Sequence, residues 1–314
     1  MTRLRSCIMI QGLLALALAP AAFPQTYQLF QPPNGLHSCA VGINSNGDIV
    51  GWYQEDIDPG IPIVLKQHSY LLSRGRFTSF DPPEPTLAGS LAGRINPRGD
   101  IVGYWWTASP SINTGYLMSD GGFANIVFPG ATHTFPVGIN AQGDIVGYYN
   151  IAATPPNPSV TRGFLRSKYG EFQTLDLPVP GLTLSRAWGI NSRGDIVGQY
   201  TDPTGSHGFL KKSPGDFITL DPEDKATTGG WTRPIGVNEE GIVSGDYLAQ
   251  VGASTKTRGF LWRGGVFTTY DAPGTTSTGS REINPSGWVV GCVGATNPAP
   301  PPASRTWSFI RSPR

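Results

Sequence analysis

One element returns six times along this chain and leaves few folds open to it. Asn44, Asn96, Asn140, Asn191, Asn238 and Asn284 each precede a glycine by three residues, and successive copies are spaced 52, 44, 51, 47 and 46 residues apart. The first copy of the element runs from Gly42 to Gly51. The others run from Arg94 to Gly103, Gly138 to Gly147, Gly189 to Gly198, Gly236 to Gly245 and Glu282 to Gly291. Periods of this length belong to propeller blades and are about twice those of leucine-rich repeats.

Each copy divides into four short segments with strand character. The first ends in Ile or Val before the asparagine. The second is Ile-Val-Gly or a variant, followed by aromatics such as Trp52-Tyr53, Tyr104-Trp105 and Tyr148-Tyr149. The third carries Tyr70, Tyr116, Phe164, Phe209, Phe260 or Phe309, and the fourth is a Phe-rich run ending in Asp-x-Pro, as at Phe77 to Pro82. Short, turn-bounded runs of β-branched and aromatic residues predict strands, and no apolar helical spacing competes with them. Asn-x-x-Gly between the first two segments reads as a tight turn. A calcium loop would need more oxygen ligands than the single Asp48, Asp100, Asp144 or Asp195 supplies, so no metal is expected.

The two ends complement each other. Tyr27 to Pro32 looks like a fourth segment with nothing before it, and Trp307 to Arg311 like a third segment with nothing after it. The expectation is an all-β, six-bladed β-propeller of four-stranded blades, closed by the N-terminal strand completing the last blade. It would form one domain over residues 25–314. The first 24 residues read as an export signal: Arg3 and Arg5, an apolar run from Ile8 to Ala19, then Ala19-Pro20-Ala21. The chain is therefore expected to be secreted or periplasmic, with no membrane span once the signal is removed. Composition fits a turn-rich protein, with only 14% charged residues and 41 glycines and 29 prolines. A net charge of +1 offers no basic field for nucleic acid.

With those elements in place, the chain resembles the HAF-repeat family of secreted bacterial proteins, named for a His-Ala-Phe triplet that opens one strand of each repeat. The triplet stands here as His68-Ser69-Tyr70, Arg162-Gly163-Phe164, His207-Gly208-Phe209 and Arg258-Gly259-Phe260. The resemblance spans essentially the whole chain after the signal. It implies export and repeat architecture and carries no catalytic activity with it.

The longer, more variable loops join the second to the third segments and the fourth to the first, so a site is expected on the face they share. Six residues before each asparagine lies a small hydroxyl: Ser38, Ser90, Thr134, Ser185, Thr232 and Thr278. Their repetition suggests hydrogen bonding between repeats. Near them lie His37 and His133, Arg186 and Arg233, and Arg94 and Arg281. These cations either pair with Glu282, Asp246 and Glu239 or form an anion site, since guanidinium groups fork onto carboxylate and sulfate. The ligand-binding set read this way is Arg94, Arg186, Arg233, Arg281 and Trp106, with other aromatics leaving the second segment as sugar-stacking candidates.

Cys39 and Cys292 fall in the first and last copies, which neighbour each other in a closed ring. A disulfide there requires the Cα atoms to approach within about 7 Å, and two buried thiols are the alternative. The function expected is a monomeric binding module, without cofactor, for an extracellular polysaccharide or a surface protein. The alternative is a lyase acting on acidic glycan by β-elimination, with Arg186 and Arg233 neutralising a uronate while His133 or His37 takes the proton. A structural role in an envelope assembly is a third reading, without residues of its own.

Overall fold

The structure, a computed structural model, describes residues 25–58, 64–154, 158–295 and 306–313. The segment read as an export signal lies outside them. All regular structure among the described residues is β-strand. After β1 (Tyr27–Phe30), strands β2 (His37–Ile43), β3 (Ile49–Asp58), β4 (Val64–Ser73) and β5 (Arg76–Phe80) form an antiparallel group. A like group follows in β6 (Leu87–Ile95), β7 (Ile101–Thr107), β8 (Asn113–Ser119) and β9 (Gly122–Ile126). One parallel pair, Gln67 with Gly89, joins these two groups into an eight-stranded sheet.

The pattern repeats in β10 (His133–Ile139), β11 (Ile145–Ile151), β12 (Val160–Arg166) and β13 (Phe172–Thr174), and again in β14 (Leu184–Ile190), β15 (Ile196–Asp202), β16 (Gly205–Lys211) and β17 (Phe217–Leu220). Here too a single parallel pair, Thr161 with Leu184, makes one eight-stranded sheet. A four-stranded sheet contains β18 (Thr232–Val237), β19 (Val243–Val251), β20 (Ser254–Arg263) and β21 (Val266–Tyr270). The remaining sheet holds β22 (Thr275–Ile283), β23 (Val289–Ala295), β24 (Thr306–Arg311) and the N-terminal β1, which pairs antiparallel with β24 from Tyr27 opposite Arg311 to Phe30 opposite Ser308. The first long loop expected between the second and third segments is largely strand, because Gln54 to Asp56 stay paired with Leu65 to Gln67.

Strand alternation explains the core. Successive side chains point to opposite faces, so in each Ile-Val-Gly element the isoleucine and valine serve different neighbours. Ile49 packs with its own repeat beside Ala40, Ile43, Tyr53 and Tyr70, whereas Val50 packs into the next repeat's cluster with Ile101, Trp105 and Tyr116. Val102, Val146 and Val197 reach forward in the same way. Val290, from the last repeat, packs into the first repeat's cluster. Burying each valine contributes about 1.5–3 kcal/mol and reinforces five of the six contacts between repeats; in the fifth repeat Ser244 takes the valine's place and donates to the Arg281 carbonyl at 2.7 Å.

The strands that open each repeat touch one another in a cycle: β2 with β6, then β10, β14, β18, β22 and back to β2. The anchoring asparagines tie this inner ring together at one end. Each Asn side-chain carbonyl accepts backbone N–H groups of its own turn, as Asn44 does from Asn46 and Asp48 at 2.9 Å. The following glycine takes the left-handed conformation the turn needs, with φ 83° at Gly47. Each Asn amide then donates to the backbone carbonyl of the next anchoring asparagine, at 3.1–3.4 Å, and Asn284 completes the circuit by donating to Asn44 at 3.2 Å. The disulfide between Cys39 of β2 and Cys292 of β23 crosses the same seam, with the Cα atoms 4.7 Å apart.

Candidate functional site

Every inner strand carries a bulge three residues before its asparagine. The pairing skips Val41, Gly93, Val137, Trp188 and Ile235, and in β22 it skips both Arg281 and Glu282. A bulge re-aims side chains out of the alternating pattern. All six residues at the third position before the asparagine line one cavity on the inner axis.

One residue further along, four of the six positions are glycine because the neighbouring strand leaves no room. A Cβ on Gly189 would stand 2.4 Å from the Ile235 carbonyl oxygen. The other two positions are Arg94 and Glu282, which form an ion pair across the axis. Arg94 is 3% exposed, and its guanidinium also donates to the carbonyls of Val41 at 2.6 Å, Gly93 at 3.0 Å and Ile235 at 2.7 Å. Burial lowers the Arg94 pKa and raises that of Glu282, each opposed by attraction to the other. Arg94 thus plugs the axis at this level. Its charge is committed to Glu282 and three carbonyls, which corrects its assignment as a ligand arginine.

Above the plug sits a cup of about 200 Å³. Its walls include Trp52, Tyr104, Tyr148 and Trp188, and its rim Arg233 and Arg281. Strand alternation again sorts the aromatics: Tyr53, Trp105 and Tyr149 enter the core, while Trp52, Tyr104 and Tyr148, one residue earlier, face the cup. Burial raises the pKa of Tyr104 and Tyr148, so both hydroxyls are neutral. Asp246, fully buried, holds both rim arginines: Arg233 by two bonds of 2.9 and 2.8 Å, and Arg281 by one of 2.7 Å. Burial lowers the Arg281 pKa, with Asp246 opposing the shift.

A groove of about 710 Å³ opens beside the cup and shares Trp188 and Arg233 with it. Its lining comes from Arg186 of β14, from Gln199, Thr201 and Ser206, and from the segment 222–231 before β18. The Arg233 guanidinium lies 4.2 Å from the Trp231 ring centroid, and that of Arg186 lies 5.0 Å from the Tyr148 ring. Among the described residues no carboxylate pairs with Arg186, and its Nε and the indole N–H of Trp188 are buried without hydrogen-bond partners. Four guanidiniums, those of Arg94, Arg186, Arg233 and Arg281, therefore meet two carboxylates, Glu282 and Asp246. The arrangement is a cationic, aromatic-walled recess suited to holding an anion.

The remaining candidates from sequence lie elsewhere. Trp106 packs over Gly89 and borders neither the cup nor the groove, which corrects its place in the ligand set. His133 accepts the backbone N–H of Asn113 at Nδ1, 3.1 Å, and lines a separate depression. His37 accepts that of Thr306 at 3.3 Å. A neutral imidazole whose Nδ1 accepts carries its proton on Nε2. Neither ring then offers a free lone pair as base, and neither lines the cup or the groove that Arg186 and Arg233 border.

The hydroxyls six residues before the asparagines stitch each repeat to the one before. Ser38 bonds Ser308 at 2.9 Å, Ser185 accepts the Gly163 N–H at 3.1 Å, and Thr278 accepts that of Ala272 at 2.9 Å. The triplet's leading residue instead ties its strand to the end of its own repeat. His68 pairs with Asp81, His207 with Asp221 and Arg258 with Asp271, each an aspartate followed by proline within two residues. Sequence reasoning missed Trp188 and Trp231. Trp188 had a signal, being the one aromatic among six residues at its offset from the asparagine.

No family description and no curated protein matches the chain by sequence. Solved structures do match by shape. A triple arginine-to-alanine mutant of AofleA from Arthrobotrys oligospora aligns with a TM-score of 0.50 at 13% identity, covering 91% of this chain and 86% of that one. The PQQ-bound aldose sugar dehydrogenase of Streptomyces coelicolor gives 0.44 at 11% identity over 92% and 99% of the two chains. A neuraminidase-like protein of A/flat-faced bat/Peru gives 0.45 at 8% identity over 90% and 92%. At such identities the likeness is one of fold, and the fold is of the propeller type.

Proposed function

We propose that this chain is an exported, single-domain, monomeric propeller of the HAF-repeat kind that binds an extracellular glycan on the face bearing the cup and groove. Each eight-stranded sheet counts as two blades, since only one parallel pair joins its antiparallel halves. On that count there are six four-stranded blades. The pairing of β1 with β24, the packing of Val290 into the first repeat and the bond from Asn284 to Asn44 support closure. The basic, apolar and small-residue order of the first 24 residues supports export.

The observation that carries the binding reading is Arg186, a guanidinium without a carboxylate partner among the described residues, set between Tyr148 and a groove that also holds Trp188 and Trp231. Ligand sites combine apolar and aromatic walls with a few placed polar groups in volumes of about 300–1,000 Å³, and the groove fits that description. The test is retention of the purified chain on immobilised neutral and acidic polysaccharides. Binding that falls in Trp231→Ala supports the reading. Absence of retention on every polysaccharide sinks it and turns attention to surface proteins.

A further inference from the structure

We infer that the site takes the end of an acidic saccharide chain, its terminal acidic sugar seated in the cup and the following sugars lying along the groove. The inference rests on the glycan reading above and adds the class of sugar and the part of the chain recognised.

The cup is a dead end. Arg94 closes its floor through the ion pair with Glu282 and through carbonyls of Val41 and Ile235, which belong to different inner strands. A chain threading the axis would have to displace this buried plug. An apolar cavity of about 150 Å³ holds one benzene, so a cup of about 200 Å³ takes a single six-membered ring with its substituents. Trp188 and Arg233 border both spaces, which makes the groove the continuation of the cup. A polymer gripped along its middle would need a trough open at both ends, and here one end is walled by Trp52, Tyr104 and Tyr148.

Charge selects the terminal sugar. Arg94 is neutralised by Glu282, and one carboxylate, Asp246, serves both Arg233 and Arg281. Among the described residues Arg186 has no such partner, and Lys225, held by Asp221, stands against Glu223 in the groove lining, so the recess carries an excess of positive charge over its carboxylates. A carboxylate or sulfate entering beside Arg186 and Arg233 completes the pairing, with the short charge-assisted bonds that guanidinium geometry favours. The aromatic walls cover the sugar's less polar faces and exclude water from that pairing.

The test uses uronate chains of one composition, offered at equal mass but cut to different mean lengths, with binding followed by titration calorimetry of the whole protein. End recognition predicts that bound protein at saturation rises in proportion to the number of chain ends. Saturation that follows mass regardless of length keeps the glycan reading and overturns end recognition. Binding to no chain of any length, whether uronate, sulfated or uncharged, sinks both. A carboxyl-reduced set and a sulfated neutral set separate the two anions: loss on reduction identifies a carboxylate, and binding by the sulfated set alone identifies sulfate. Equal binding by reduced, unsulfated chains overturns the acidic assignment. Arg186→Gln sits at the surface of the groove and is expected to weaken binding by about tenfold or more. Val137→Phe fills the cup from its wall and is expected to abolish the dependence on chain ends. Wild-type affinity and end-dependence in both variants, with unchanged melting temperature, would overturn the assignment.

Discussion

Removing the disulfide by Cys39→Ala with Cys292→Ala tests whether the seam is a mechanical weak point. The bond links residues 253 apart in sequence, so it restricts nearly the whole unfolded chain. Chain-entropy arithmetic for a loop of that length gives about 5.5 kcal/mol, above the usual 2–4. In a chain of this size about 2–4 °C of melting temperature accompanies each kcal/mol, so the disulfide-free variant should melt roughly 10–20 °C lower. The native seam keeps its other ties, including the β1 pairing and the bond between Ser38 and Ser308, so the variant should retain the native far-ultraviolet spectrum at room temperature. Its unfolded chain is freed from the link and more expanded, which predicts a larger urea m-value. Paired thermal and urea denaturation of the oxidised parent and the double variant measures both. Coincident midpoints and equal m-values would refute the reasoning, because the entropic term acts wherever the bond exists.

Asp246→Asn leaves two rim guanidiniums without their shared buried carboxylate and should cost about 3–5 kcal/mol, read as a lower urea midpoint. Gly147→Ala would place a Cβ 2.0 Å from the Phe135 carbonyl oxygen, and the resulting strain should cost about 1–3 kcal/mol or block folding, as judged by yield and melting temperature. Burial alone would raise the Asp195 pKa, but bonds from Asn191, Arg193 and the Ser213 backbone outweigh it and leave the pKa below its ordinary 3.8. Its contribution to stability is then present above pH 3.8 and lost as pH falls through the lower folded value. The gap in urea midpoint between the parent and Asp195→Asn should therefore close on acidification; a gap that widens would contradict the assignment.

The repeat architecture was legible because six copies of one turn cannot all be accidental, and because Tyr27 to Pro32 supplies what Trp307 to Arg311 lacks. Loop length points to the face that bears the candidate groove, which Thr204, Gly205 and the segment 222–231 line. The residues at the site's centre were less legible. For Arg94 the sequence offers both a ligand role and pairing with Glu282, and its offset from the asparagine does not show that the two meet across the axis. The bulge at Trp188 turned a residue that strict alternation would place elsewhere toward the cup. Among the aromatics after Ile-Val-Gly, alternation would have separated Trp52 from Tyr53 and Tyr148 from Tyr149 once the inner strand was known. His37 and His133 share an offset, and that regularity belongs to their backbone contacts with the preceding repeat rather than to chemistry.

The circuit of asparagine bonds runs in one rotational sense, and every link asks the same thing of its neighbour: one amide given, one main-chain oxygen received. At that end of the axis the repeats are interchangeable parts. At the other end they are individuals, with an arginine, a tryptophan or a glycine at corresponding places. At the level of this circuit, a repeat moved from one place in the ring to another would meet the same donor on one side and the same acceptor on the other. Uniformity and variety sit on separate levels of the same strand.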